Sequence, residues 1–113
     1  MPKTAIEMDK AAVICKLLGN KTRLTMLKIL DDHDCCVCEF VEIFKTSQPS
    51  ISQHIRKLKD MELVKEERRG QWVYYSINTK GEYYPFVLQL LNLLPRQNEI
   101  LKELDDKNIR FKC

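Results

Sequence analysis

Little in this chain bends, breaks or staples a backbone. Its 113 residues include three glycines and four prolines. With 44% apolar residues, that scarcity argues for a folded, mostly helical chain rather than a disordered one. No internal repeat or low-complexity segment is present. Long hydrophobic runs are missing too. The most apolar stretch, residues 86–94, is interrupted by Gln89 and Asn92 and falls far short of the ~20 residues a membrane-spanning helix needs. The opening MPKTAIEMDKAAVICK carries a charge every few positions and lacks the apolar core of a signal peptide, so the expected location is the cytoplasm. Five cysteines, an odd number unevenly clustered, do not make the framework of a secreted disulfide-bonded domain, and reduced thiols are expected. Catalytic constellations are absent as well. A C-x-x-C spacing occurs without the βαβ pattern of a thiol oxidoreductase, and no Ser/His/Asp or Cys/His arrangement offers another nucleophile. The chain does not read as an enzyme. At this length it reads as one domain, residues 1–113, too small for two cores.

What is present concentrates in residues 47–77, SQPSISQHIRKLKDMELVKEERRGQWVYYSI. Ser47 suits a helix N-cap, because its hydroxyl can accept a free backbone N–H of the first turn. Pro49 fits that turn, where a missing N–H costs little. Ile51, Ile55 and Leu58 recur at i, i+4 and i+7 and make one narrow apolar stripe. The candidate DNA-facing residues are Gln48 at the N-terminal tip, then Ser50, Ser52, Gln53, Arg56 and Lys57. Such side chains suit base edges and phosphates: Gln pairs bidentately with adenine and Arg with guanine. An ordinary solvated helix face would look similar from the helix alone. His54 borders the apolar stripe and reads as a satisfied structural histidine rather than a ligand.

The residues that follow decide between those readings. Val73, Tyr75 and Ile77 alternate with Trp72, Tyr74 and Ser76, the period of a half-buried strand. Residues 63–69 form its partner, and Gly70 and Gln71 supply a two-residue turn with Gly first, as a type II′ turn prefers. Arg68 and Arg69 crown the tip, with Lys65 behind them. Directly after such a helix, a charged hairpin reads as a wing laid on the DNA backbone or minor groove. Residues 45–80 hold eight Lys/Arg against four Asp/Glu, so the excess positive charge lies in this segment.

Upstream, residues 6–18 are expected to be helical, with Ile6, Val13, Ile14, Leu17 and Leu18 available for burial. Gly19 and Asn20 end that helix, and Asn20 can cap a second one carrying Leu24, Leu27 and Leu30. Asp31, Asp32, His33 and Asp34 form a polar break, with Asp34 the expected cap of a short helix reaching about Phe44. Only Lys45 and Thr46 then separate it from Ser47. Two short helices so tightly joined constitute a helix-turn-helix at about residues 35–60, with the wing at about residues 63–77. Pro85 opens an apolar helix to Leu94, and Pro95 starts another with Ile100, Leu101 and Leu104 on one side. A domain of this size does not need so much apolar helix at its end. Helices at about residues 4–18 and 83–110 are therefore assigned to a homodimer, whose two-fold axis would match a palindromic operator. The fold class expected is mainly α with a small β-hairpin, a winged helix-turn-helix.

In their order and spacing, LLGNKTRLTMLKIL, CVCEF, SQPSISQHIRKLKDMELV and GQWVYYSI resemble the ArsR/SmtB family of metal-sensing bacterial repressors. The resemblance covers about residues 10–80. It implies a homodimer that represses its own operon on double-stranded operator DNA and leaves that DNA on binding an inducer. Within that family a Cys-Val-Cys-acidic motif marks members that sense thiophilic ions on the helix before the recognition helix. Here the motif falls on Cys36, Val37, Cys38 and Glu39. The implied inducer is As(III) or Sb(III), with Cd(II) or Pb(II), or a thiol-redox signal, as alternatives. No cofactor is required for DNA binding.

Thiolates select such soft ions over hard cations. If Asp34 caps the helix, Cys35, Cys36 and Cys38 fall in its first turn. There the helix dipole lowers a thiol pKa, while Asp34 and Glu39 oppose that shift. Cys36 and Cys38 would then lie about 200° apart, so one ion could bridge them only if the turn unwound, a distortion that would misalign the next helix. Cys35 and Cys38 would share a face, the spacing of a regulatory disulfide. The bland alternative, small core thiols, is disfavoured by the density of the cluster. Val41 occupies the place where arsenite-responsive members often carry a third cysteine. The N-terminus offers only Cys15 to the cadmium/lead pattern, and residues 77–94 offer only Glu82 to the zinc pattern. Candidates for a third sulfur are Cys15, on an expected dimerisation helix, then Cys35, then Cys113, whose ordering would cost entropy.

Overall fold

Capping residues set the first helix boundaries. In the computed structural model, which describes residues 6–96, α1 spans Met8–Leu18 and α2 spans Lys21–Asp32. Asn20 Oδ1 accepts the Arg23 backbone N–H at 3.0 Å, closing the first turn of α2. Ile14 and Leu18 of α1 are buried against the core, whereas Val13 is 49% exposed. That corrects its expected burial: Ile14 and Leu18 lie one turn apart on one face, and the adjacent Val13 is rotated off it.

Helix α3 spans Val37–Phe44 and α4 spans Gln48–Asp60. Lys45, at φ 53°, ends α3 and turns the chain. Ser47 Oγ accepts the Ser50 N–H at 3.3 Å, and Pro49 occupies the first turn of α4. Ile51, Ile55 and Leu58 are buried as one stripe. The wing follows as β2, Val64–Arg69, and β3, Trp72–Ile77, antiparallel from the pair Val64 and Ile77 to the pair Arg69 and Trp72. Gly70 takes φ 64° while Gln71 stays out of the left-handed region, as a type II′ turn requires.

The sheet has a third strand. Cys35–Cys36 forms β1 on the other side of β3, giving the order β1-β3-β2. Asp34 therefore does not cap α3. Cys36 holds the cap position with extended backbone, φ −98° and ψ 170°. Glu39 Oε1 accepts its N–H at 3.1 Å, as an N3 carboxylate does in a capping box. The extended backbone gains sheet partners that a longer helix would have lost.

Helix α5 spans Tyr84–Leu91, ending before Leu94. The helix expected from Pro95 onward, with Ile100, Leu101 and Leu104, lies outside the described residues, as does Cys113. The core gathers Ile14 and Leu18, Met26, Leu27, Ile29 and Leu30, Phe40, the α4 stripe, Val64 and Ile77, and Val87 and Leu91. Among the described residues it joins the five helices to the wing, so helix α4 and the hairpin share one core.

Candidate nucleic-acid interface and thiol segment

With its apolar stripe turned inward, α4 presents Gln48, Ser52, Gln53, Arg56 and Lys57 to solvent, and Ser50 is half-buried. Arg68 and Arg69 are exposed at the end of β2. The expected DNA-facing residues thus lie along one helix and the adjoining wing. Lys59 at the C-terminal end of α4 is ion-paired with Glu66 of β2, and the Tyr75 hydroxyl donates to Glu66 Oε2 at 3.4 Å. The hydrogen bond to Lys59 holds the Glu66 carboxyl below its ordinary range and raises the lysine in return.

His54 turns toward α2. Arg23 Nη1 lies 3.2 Å from His54 Nδ1, and Arg23 Nε donates to Leu17 O at 2.6 Å. A guanidinium can only donate, so Nδ1 is the acceptor. Burial first, then the charges of Arg23 and Lys57, hold the imidazole pKa below its ordinary 6.5. Arg23 thereby links the end of α1 to the middle of α4, and His54 is a structural residue.

In the thiol segment, Cys35 pairs with Tyr75 and Cys36 with Tyr74 of β3. Cys35 is fully buried in the core, its Sγ 3.8 Å from His33 O. Such burial is what a small core thiol shows. Cys38 is an exposed free thiol in the first turn of α3, and Cys15 is an exposed free thiol on α1. The helical face expected for Cys35 and Cys38 does not exist, because Cys35 is on a strand. Cys36 has extended backbone at the N-cap of α3, so the angle expected between two helical cysteines does not apply to Cys36 and Cys38. Cys36 itself is engaged in a disulfide, a departure from wholly reduced thiols. Such bonding depends on which sulfurs the fold brings within reach, which spacing alone does not fix. Among the described residues, no three His, Cys, Asp or Glu side chains are grouped so as to hold an ion.

Sequence reasoning missed the destination of Asp34. Its Oδ2 lies 2.5 Å from Arg69 Nη2 at the wing tip, and the same guanidinium sits 4.7 Å from the centre of the Tyr74 ring. The only sequence signal was a pair of opposite charges 35 residues apart.

Residues 20–66 match the model of the family described as "Bacterial regulatory protein, arsR family". The arsenical resistance operon repressor of Staphylococcus aureus is 32% identical over 88 residues, covering 78% of this chain and 83% of that protein. Reduced HlyU from Vibrio cholerae superposes with a TM-score of 0.66 at 30% identity, covering 78% of this chain and 92% of that one. A homodimeric winged helix-turn-helix DNA-binding domain from Mycobacterium bovis, a possible ArsR-family regulator, superposes at 0.63 with 24% identity, covering 86% of this chain and 82% of that one. That last likeness speaks for the fold alone. From the helix-turn-helix, the wing and an identity that spans most of a known repressor, the chain belongs to the arsR family of bacterial regulatory proteins.

Proposed function

We propose that this arsR-family transcriptional repressor holds a palindromic operator as a homodimer and releases it when Cys36 and Cys38 capture a thiophilic ion, arsenite or antimonite. The observation that carries this reading is the ladder joining Cys35 and Cys36 to Tyr75 and Tyr74. Cys36 lies on the same sheet as the wing, with Cys38 two residues on in the first turn of α3, which supports a coupling of the sulfurs to the DNA-binding surface. The arsenical-resistance role of the staphylococcal relative supports the choice of ion, as does the preference of thiolates for soft metals and metalloids. Arg56 and Gln53 serve as base readers, with Gln48, Ser50, Ser52, Lys57, Arg68 and Arg69 on phosphates or neighbouring bases. Met8 and Val13 of α1 and Leu93 after α5, all apolar and well exposed in the single chain, support the two-fold assembly. Cys15, exposed on that same α1, is the first candidate for a third sulfur from either subunit, with Cys35 the alternative.

The exposed free thiol of Cys38, open to oxidants, favours a second reading, thiol-redox control of the same fold. One titration separates the two. Release of duplex DNA from upstream of the chain's own coding sequence is followed with arsenite, cadmium and peroxide in parallel, starting from reduced protein. Release by micromolar arsenite without oxidant supports the metalloid reading; release by peroxide alone overturns it in favour of redox control.

A further inference from the structure

Asp34 immediately precedes the thiol strand, and Arg69 is the last residue of β2 at the wing tip. Their side chains meet at 2.5 Å while remaining 38% and 44% exposed. Glu67 Oε2 lies 3.5 Å from the same guanidinium nitrogen, and the Tyr74 ring lies beneath the guanidinium. Arg69 therefore reaches back toward the cysteines instead of outward. The residue under it, Tyr74, is the sheet partner of Cys36. Whatever moves Cys36 moves both the carboxylate and the ring that hold Arg69.

We propose that Asp34 is a positioning residue that latches the wing arginine, so that operator phosphate must displace the Asp34 carboxylate to engage Arg69 and a rearrangement at Cys36 and Cys38 reaches the wing through this pair. The inference rests on, and deepens, the repressor reading above. An exposed ion pair is weak in water, and phosphate offers a guanidinium the same bidentate charge-assisted geometry as a carboxylate. The latch can therefore open at the DNA surface. It also biases the wing away from DNA when the thiol segment presses Asp34 onto Arg69.

A double-mutant cycle tests this. The full reduced chain is titrated onto duplex DNA from upstream of its own coding sequence, with and without arsenite. Asp34→Asn is expected to tighten binding roughly two- to fivefold and to shrink the loss of affinity that arsenite causes. The tightening should vanish in an Arg69→Ala background, and should partly return with Arg69→Lys. A gain that persists without Arg69 would show that Asp34 merely repels DNA. Neither that result, nor a variant with no gain, nor an unchanged arsenite response is compatible with the latch, yet each leaves the repressor reading standing. If the unmutated chain bound no such DNA, the repressor reading would fall and the latch with it.

Discussion

Lys28 Nζ donates a 2.7 Å hydrogen bond to the carbonyl of Leu91, the last residue of α5. Lys28 is 7% exposed, and Asp31 Oδ2 lies 3.9 Å from the same ammonium. The last carbonyls of a helix have no partner within it, and a cation there also answers the negative end of the helix dipole. This bond ties α5, a proposed dimerisation helix, to the core. Lys28→Met should keep the packing of the stem while removing this bond; the Leu91 carbonyl keeps the Leu94 N–H at 3.1 Å, so the cost should be about 0.5–1.5 kcal/mol. Urea unfolding monitored by circular dichroism measures it. A midpoint within error of wild type would show that the bond contributes nothing net.

Stability should also fall on mild acidification, through His54. Folding lowers its pKa, by burial and then by Arg23 and Lys57. The unfolded chain therefore takes up this proton at a higher pH than the folded one does. The stability tied to a neutral His54 is present above its ordinary 6.5 and is lost as pH falls through the lowered folded value. His54→Gln keeps an acceptor near Arg23 but cannot titrate. Urea midpoints between about pH 5 and pH 8 should show a smaller acid-side decline in that variant than in wild type, and identical profiles would contradict the assignment.

On DNA, Arg56→Ala should cost ~1–3 kcal/mol of operator affinity and relax sequence preference at one position. Lys57→Ala should weaken binding to all sequences alike and reduce the salt slope by about one. Anisotropy titrations on specific and scrambled duplexes at several salt concentrations distinguish them. Unchanged affinity in Arg56→Ala would remove Arg56 from the reading face.

The helix-turn-helix and wing were legible because each rests on local chemistry. Ser47 and Pro49 start α4, Ile51, Ile55 and Leu58 repeat at helical spacing, and Gly70 marks the turn. The thiol segment was not legible, for two physical reasons. A two-residue strand such as Cys35–Cys36 is too short to show a period, and it exists only because β3 offers it a free edge. The partner of Asp34 is decided by the register that carries Arg69 to it, not by anything near Asp34 in the chain. Hence Cys35 was assigned to a helix, whereas it lies on a strand and in the core.

The most direct measurement is the arsenite response of operator affinity in reduced wild-type protein, Cys36→Ser and Cys38→Ser. Wild type should lose affinity by about 1–3 kcal/mol on saturation with arsenite, the usual size of such coupling. Both variants should bind operator nearly as well as wild type without arsenite and should no longer respond to it. Full arsenite release of DNA from either variant, or loss of operator binding in the variants before any arsenite is added, would contradict a switch built on Cys36 and Cys38.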